Sequence, residues 1–248
     1  MASTITSPQH SGLTEHIDFQ RVRVISLDLD DTLWPIMPAI DRADNMVMAW
    51  FQQHAPRVAQ RYDVAGIREL RHEISERHPH LSHDLGALRR LCFRLALQTC
   101  AYDPRLAQPA WELYYQYRLA VELYPDAQRL LQRLSCKLPL VAVTNGNADL
   151  QRIGLGHHFR LCLRAADVGF RKPDPAIWQL LSKRLKLAPE HILHVGDHPL
   201  EDAESARQAG LQALWLNRNE NPWPQNSIAT PDIQHLDQLT ESYLAFLA

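Results

Sequence analysis

Asp28, Asp30 and Asp31 stand together at the end of the run RVRVISLDLDDTLWP, with Thr32 directly after them. Bunched carboxylates repel one another, so a cation or strong hydrogen bonds must offset them wherever they share a pocket. A divalent metal is the simplest such agent. Side chains alternate along an extended chain, which sends Asp28 and Asp30 to one side and Asp31 to the other. Two acids on one side can divide labour, one attacking phosphorus while the other passes a proton to the leaving oxygen. An Asp-rich turn that only caps a helix or closes a loop is the plainer alternative.

Three further segments carry groups of the same chemistry. In GDHPLED, Asp197, Glu201 and Asp202 follow the apolar run ILHV. Oxygen donors gathered from several strand ends describe a Mg²⁺ centre that handles phosphate, although Asp197 would also serve as a helix cap. Thr144 and Asn145 end the run LPLVAVTNGN, where a hydroxyl and backbone N–H groups can hold a phosphoryl oxygen; an ordinary turn has the same residues. Lys172 lies in RKPDP, beside prolines that pin the backbone and open a helix, which can aim its ammonium at the acids. Only four of the 26 basic residues are lysines, so a lysine at such a place is less easily explained by chance.

These groups need strands to position them. Hydrophobic runs without clean alternation, near 22–27, 138–143, 192–195 and 211–216, read as parallel strands covered on both faces. Helical patterns at 125–134, 173–187 and 199–209 separate them, several opened by proline. The expected fold is α/β, a Rossmann-like doubly wound parallel sheet with ligands at the carboxyl ends of its strands. Between 34 and 124 the strand signal disappears and helical spacing takes over, as at Leu88, Leu91 and Leu95. That block is too long for a crossover, so 35–124 is expected to be an inserted all-helical cap, with 21–34 and 125–248 as the core domain. Residues 1–20 read as a polar arm, 217–230 as a surface loop and 236–247 as a final helix or short element.

Composition limits the partners. The chain has 248 residues, 46% of them hydrophobic, and a formal net charge of -2 with no run of five like charges, so neither nucleic acid nor an anionic membrane is expected to bind. No 18-residue apolar stretch and no basic, apolar leader is present, and Cys92, Cys100, Cys136 and Cys162 form no paired motif. A cytoplasmic protein with reduced thiols and a small free substrate is the expectation. His72, His78, His80 and His83, and likewise His191, His194 and His198, lack a zinc framework and read as surface or structural histidines, with a functional option kept for His83 and for His198, which follows Asp197.

Taken in order and spacing, DLDDT, the strand ending in Thr144, the lysine of RKPDP and the acids of GDHPLED resemble the haloacid dehalogenase-like hydrolase superfamily, over roughly 22–217. The helical insertion stands where the type 1 cap of that family sits. The resemblance implies that Asp28 is the nucleophile and a Mg²⁺ ligand, and that Asp30 is the acid/base and binds metal through its carbonyl. It implies that Thr144 holds the phosphoryl group, Lys172 stabilises charge on Asp28 and phosphate, Asp197 completes the metal site, and Asp202 supports that site or Lys172. Glu201 departs from the asparagine of many relatives. VAVTNGNA, IGLG, LHVGD and the cap stretch HDLGALRR narrow the likeness to bacterial phosphatases of flavin mononucleotide and of phosphoribitylaminouracil. In that match His83, Arg89 and Arg90 are cap residues that can reach substrate, although solvated helix arginines are equally common.

The implied activity is hydrolysis of a small phosphorylated metabolite through an aspartyl-phosphate. A phosphomutase would keep the same motifs but shield that intermediate from water. A dehalogenase of the same superfamily would attack carbon, need no Mg²⁺ and lack an acid at the position of Asp30. A silent binding protein would show erosion of the motif residues, all of which are present.

Overall fold

The computed structural model describes Leu13 and residues 16–224 and 230–248, so most of the expected polar arm and part of the loop at 217–230 lie outside the described residues. Six strands, β1 (Val24–Leu27), β2 (Leu140–Thr144), β3 (Phe159–Arg164), β4 (Ile192–Gly196), β5 (Gln212–Leu216) and β6 (Asp232–Ile233), form one sheet in the order β3-β2-β1-β4-β5-β6. Every pairing is parallel, with Ile25 of β1 opposite both Leu140 and Leu193. The chain winds outward in both directions from β1, and such an order opens a crevice beyond the carboxyl ends of β1 and β4. Sequence reading finds four of the six strands. It misses β3, a partly exposed edge strand whose apolar run is interrupted by Arg160 and Arg164, and β6, which has only two residues.

Five helices, α1 (Met37–His54), α2 (Pro56–Arg61), α3 (Val64–Arg77), α4 (Leu85–Thr99) and α5 (Ala107–Arg118), follow β1. Prolines open α1 and α2, while the Asp63 and Asp84 side chains accept from Gly66 N and Ala87 N to cap α3 and α4. Their apolar faces meet in a cluster of their own, built around Phe51, Val58, Cys92, Phe93, Leu97 and Tyr114. The remaining helices are α6 (Pro125–Leu134), α7 (Leu150–Ile153), α8 (Ala165–Val168), α9 (Pro175–Leu185), α10 (Ser205–Gln208) and α11 (Leu236–Leu247). Among the described residues no helix is long and apolar enough to cross a membrane.

Alternation along each strand divides the rest of the core into two layers. Ile25, Leu27, Leu140, Ala142, Leu193 and Val195 face α6 and α11, whereas Val24, Val141, Val143 and Ile192 face Ile177, Trp178 and Leu181 of α9. At the end of the expected polar arm, Ile17 and Phe19 are buried in the first layer, where Phe19 meets Tyr243 edge-on at 5.6 Å. Apolar residues at alternate positions outweigh the polar ones around them there.

Asp126 ties this layer together. Its buried carboxylate accepts from Arg218 Nη1 at 2.9 Å and from Leu236 N at 2.8 Å, while Arg218 Nη2 donates to Thr32 O at 3.0 Å. Asp126→Ala would leave a guanidinium and a helix-end N–H without their acceptor. The expected loss is about 2–4 kcal/mol in urea unfolding, and a loss below about 1 kcal/mol would show that water replaces the carboxylate.

Candidate active site

β1 delivers Asp28 to the α9 side of the sheet, and Asp28 N still donates to Val195 O at 2.9 Å, so the residue is fixed as a continuation of the strand. The Lys172 ammonium, 2% exposed, donates to Asp28 Oδ1 at 2.6 Å, to Val143 O at 3.0 Å and to Asp202 Oδ1. All three of its protons are thereby used. Burial alone would drive the Lys172 proton off, but Asp202 and Asp28 together raise its pKa.

A bracket of hydrogen bonds holds Lys172 in place. Asn145, expected to bind substrate, is committed within the protein: Oδ1 accepts from Lys172 N at 2.8 Å, and Nδ2 donates to Lys172 O at 3.0 Å and to Glu201 Oε2 at 2.7 Å. Glu201 Oε1 accepts in turn from Arg171 Nη2 at 2.8 Å. Glu201 and Asp202 therefore have different tasks. Asp202 accepts from His198 N at 3.0 Å and meets His194 Nε2 at 3.1 Å, while His194 Nδ1 faces Ser26 Oγ at 2.9 Å. Burial lowers the His194 pKa, so the neutral ring donates to Asp202 and accepts from Ser26. Burial works to raise the Asp202 carboxyl, but Lys172 and His194 hold it well below the usual carboxylate range. The expected single helix at 199–209 is interrupted to allow this: Pro199–Glu204 is π-helical, and a Cβ at Gly196 would stand 2.3 Å from Asp202 Cγ.

Carboxylate oxygens of Asp28, Asp197 and Asp202 all lie within 4.8 Å of one another, and among the described residues this is the one cluster of its kind. No histidine joins it. Three carboxylates against one ammonium leave two negative charges in a buried place. Burial, then Asp202 and Asp31, push the Asp197 carboxyl up to about 7, against a hydrogen bond from Thr32 Oγ1 at 3.1 Å. Asp28 is likewise raised, by burial and by both acids, against Lys172. An all-oxygen donor set with two uncompensated charges fits a divalent cation such as Mg²⁺.

Asp30 lies beside this cluster rather than in it. Arg118 Nη2 donates to its Oδ1 at 2.8 Å and Oδ2 at 2.5 Å, and Trp34 Nε1 donates to Oδ1 at 2.9 Å. Arg118 Nε donates to Asn147 Oδ1 at 2.6 Å, which fixes the guanidinium from the far side. Gly146 makes room: a Cβ there would lie 2.3 Å from Asp30 Oδ2 and 3.2 Å from Thr144 Oγ1. The Asp31 carboxylate accepts from Ile36 N at 3.0 Å; the residue stands in a turn at φ 59°, so the turn rather than strand alternation sets its direction. Thr144 is buried and accepts from Gly146 N at 2.9 Å.

The expected cap residues are placed differently. No hydrogen bond or ion pair among the described residues joins His83 to this group. Arg89 is 8% exposed, which excludes the solvated-helix alternative, and Arg90 instead pairs with Asp84 at 3.8 Å. Arg118 escapes the sequence reading because it lies 88 residues from Asp30 and meets it only in the fold; Ser26, Trp34 and His194 stand in or next to the motif runs, but which groups they touch is decided by the fold.

Two predictions follow from this geometry. Mg²⁺ should raise Tm, and the increment should grow from about pH 6 to about pH 8, because Asp28 and Asp197 must be ionised to bind it and their raised pKa values leave them partly protonated in acid. Equal increments at both pH values would exclude these two acids as ligands. Gly146→Ala should displace Asp30 and Arg118 and lower hydrolytic turnover by about tenfold or more while the cooperative unfolding transition persists; undiminished turnover would show that Asp30 does not need this position.

Residues 22–210 match the family model of the haloacid dehalogenase-like hydrolases. The 5-amino-6-(5-phospho-D-ribitylamino)uracil phosphatase YigB of Escherichia coli (strain K12) is 29% identical over 229 residues, which are 89% of this chain and 95% of that protein. Phosphoserine phosphatase of Thermus thermophilus is 36% identical over 166 residues, 64% of this chain and 66% of that one. Among solved structures, 2-haloacid dehalogenase from Pseudomonas syringae pv. tomato DC3000 superposes with a TM-score of 0.83 at 35% identity, covering 92% of this chain and 100% of that one. The matched span holds every acid of the site and the lysine between them, and the chain belongs to the haloacid dehalogenase-like hydrolases.

Proposed function

We propose that this hydrolase is a Mg²⁺-dependent phosphatase of a small phosphorylated metabolite, with residues 35–124 acting as a cap over the core formed by 21–34 and 125–248. The observation that carries this reading is a second acid, Asp30, two residues after Asp28 and held by Arg118, beside a cluster in which three carboxylates share one ammonium. Attack on carbon by a dehalogenase has use for neither the second acid nor the cation. The likeness to relatives named as phosphatases supports the same reading.

Asp28 attacks phosphorus with its carboxylate oxygen; the new O–P bond forms as the bond to the leaving oxygen breaks, and Asp30 gives that oxygen a proton. Lys172 remains on Asp28 Oδ1 and offsets charge that gathers on the phosphoryl oxygens. Thr144 supplies a hydroxyl at the end of β2 for one of those oxygens. Asp30, now ionised, takes a proton from water as water attacks phosphorus and releases Asp28. Bound at Asp28, Asp197 and the carbonyl of Asp30, with Asp202 behind them, Mg²⁺ would supply Lewis-acid stabilisation of the transferring group.

Flavin mononucleotide and 5-amino-6-(5-phospho-D-ribitylamino)uracil belong in the first substrate panel, with phosphate release as the readout. Asp28→Asn is expected to abolish turnover with the fold intact, since the amide keeps the shape and loses the nucleophile. Turnover near the wild-type rate would refute the assignment. Asp30→Asn should slow alkyl phosphates more than aryl phosphates, whose leaving groups need the proton less; equal slowing would remove Asp30 from the acid role.

A further inference from the structure

Helices α3, α4 and α5 enclose more positive charge than nearby acids neutralise. Arg118, at the end of α5, is 3% exposed, and Tyr114, one turn earlier on the same face, is fully buried. Arg89 of α4 lies over the Tyr114 ring, with its Cζ 3.8 Å from the centroid. The Cys92 thiol donates to Ile67 O at 3.5 Å and so fixes α4 against α3. Arg71 stands one turn after Ile67 and Arg89 one turn before Cys92, which turns both towards one seam. Asp44 of α1 is the acid that acts on this group, and Arg68 Nε already holds it at 2.8 Å.

Among the described residues neither Arg71 nor Arg89 is ion-paired with a carboxylate. Arg71 Nη1, Tyr114 Oη, Arg118 Nη1 and Asn147 Nδ2 are buried without a hydrogen-bond partner. Burial, with Arg71 adding to it against Tyr114, pushes the Arg89 guanidinium down to about 10. Unpaired buried charge and unmet donors are costly, and a ligand that brings counter-charge removes the cost. Arg118 ties the cluster to chemistry, because the same guanidinium that has the unmet Nη1 holds Asp30 through Nη2.

We propose that Arg71, Arg89, Tyr114 and Arg118 form an anion subsite that receives a second anionic group, a carboxylate or a second phosphate, carried by the leaving group of the ester. This rests on the phosphatase reading and deepens it: the substrates are short phosphate esters with two acidic ends. Forked guanidinium donors and a phenolic hydroxyl suit the planar or tetrahedral oxygens of such a group. Flavin mononucleotide, with one acidic end, would be a poor substrate.

The test compares kcat/KM of the Mg²⁺-loaded protein for 2-phosphoglycolate, ethane-1,2-diyl bisphosphate and 2-hydroxyethyl phosphate, esters of like length that end in carboxylate, phosphate or hydroxyl. At least one charged ester is expected to exceed the neutral one by about tenfold or more, and which of them does so identifies the anion. Arg89→Gln and Arg71→Gln should each cut that ratio by about tenfold through KM, and Arg89→Lys should keep part of it. A ratio near one in the wild type, or variants that lower all three esters equally, would overturn the subsite. If neither these esters nor flavin mononucleotide nor 5-amino-6-(5-phospho-D-ribitylamino)uracil is hydrolysed, the phosphatase reading fails, and calorimetry with the same three esters still decides the subsite. Tighter binding of a charged ester that is lost in Arg89→Gln upholds it, and equal binding of all three rejects it.

Discussion

The site depends on one buried ammonium. Lys172 joins the ends of three parallel strands, through Asp28 after β1, Val143 O in β2 and Asp202 beyond β4. Without it, like charges drawn together by the sheet would repel, and the low dielectric of the interior would magnify the repulsion. The surrounding polar groups follow from the need to hold this lysine. Asn145 and Glu201 fix its backbone, and His194 with Ser26 fixes the acid that faces it. One lysine cannot neutralise three carboxylates, so the arrangement remains poised for a divalent cation.

A second constraint links the helical insertion to the core. Arg118 belongs to α5 but grips Asp30, and Tyr115 Oη donates to Asn147 O at 2.9 Å beside it. The helical segment therefore touches the proposed acid directly, and it holds an apolar cluster of its own. Any shift of α5 against the sheet must move or release the Asp30 carboxylate. On the proposed mechanism, α5 and the proton-transferring Asp30 are joined through one guanidinium, that of Arg118.

The likeness to a dehalogenase structure and to proteins named as phosphatases illustrates how little a shared fold says about reaction. A parallel sheet with this winding offers the same crevice to attack on carbon or phosphorus. What differs is the content of the crevice. Here a second acid, paired with Arg118, and a cluster of three carboxylates that share one lysine occupy it, and the cluster is costly to bury without further positive charge.

Local sequence specifies much of this. The α6 and α11 boundaries, the helical character of 35–124, four strands and the motif residues Asp28, Thr144, Lys172 and Asp197 are legible because periodicity and strand-end chemistry act over a few residues. Edge strand β3 is not, since its exposed face accepts arginines that break the apolar pattern, and the π-helical turn at Pro199–Glu204 is not, since it follows from where Asp202 must point. The sequence alone determined which groups carry charge and which strands end in them. Only the tertiary structure decided that Arg118, 88 residues from Asp30, would hold it, that Asn145 would face Lys172 rather than solvent, and that Arg89 would be buried. Those outcomes depend on how separate elements pack, and a side chain's partners across a packed interface leave no local pattern in the chain that encodes them.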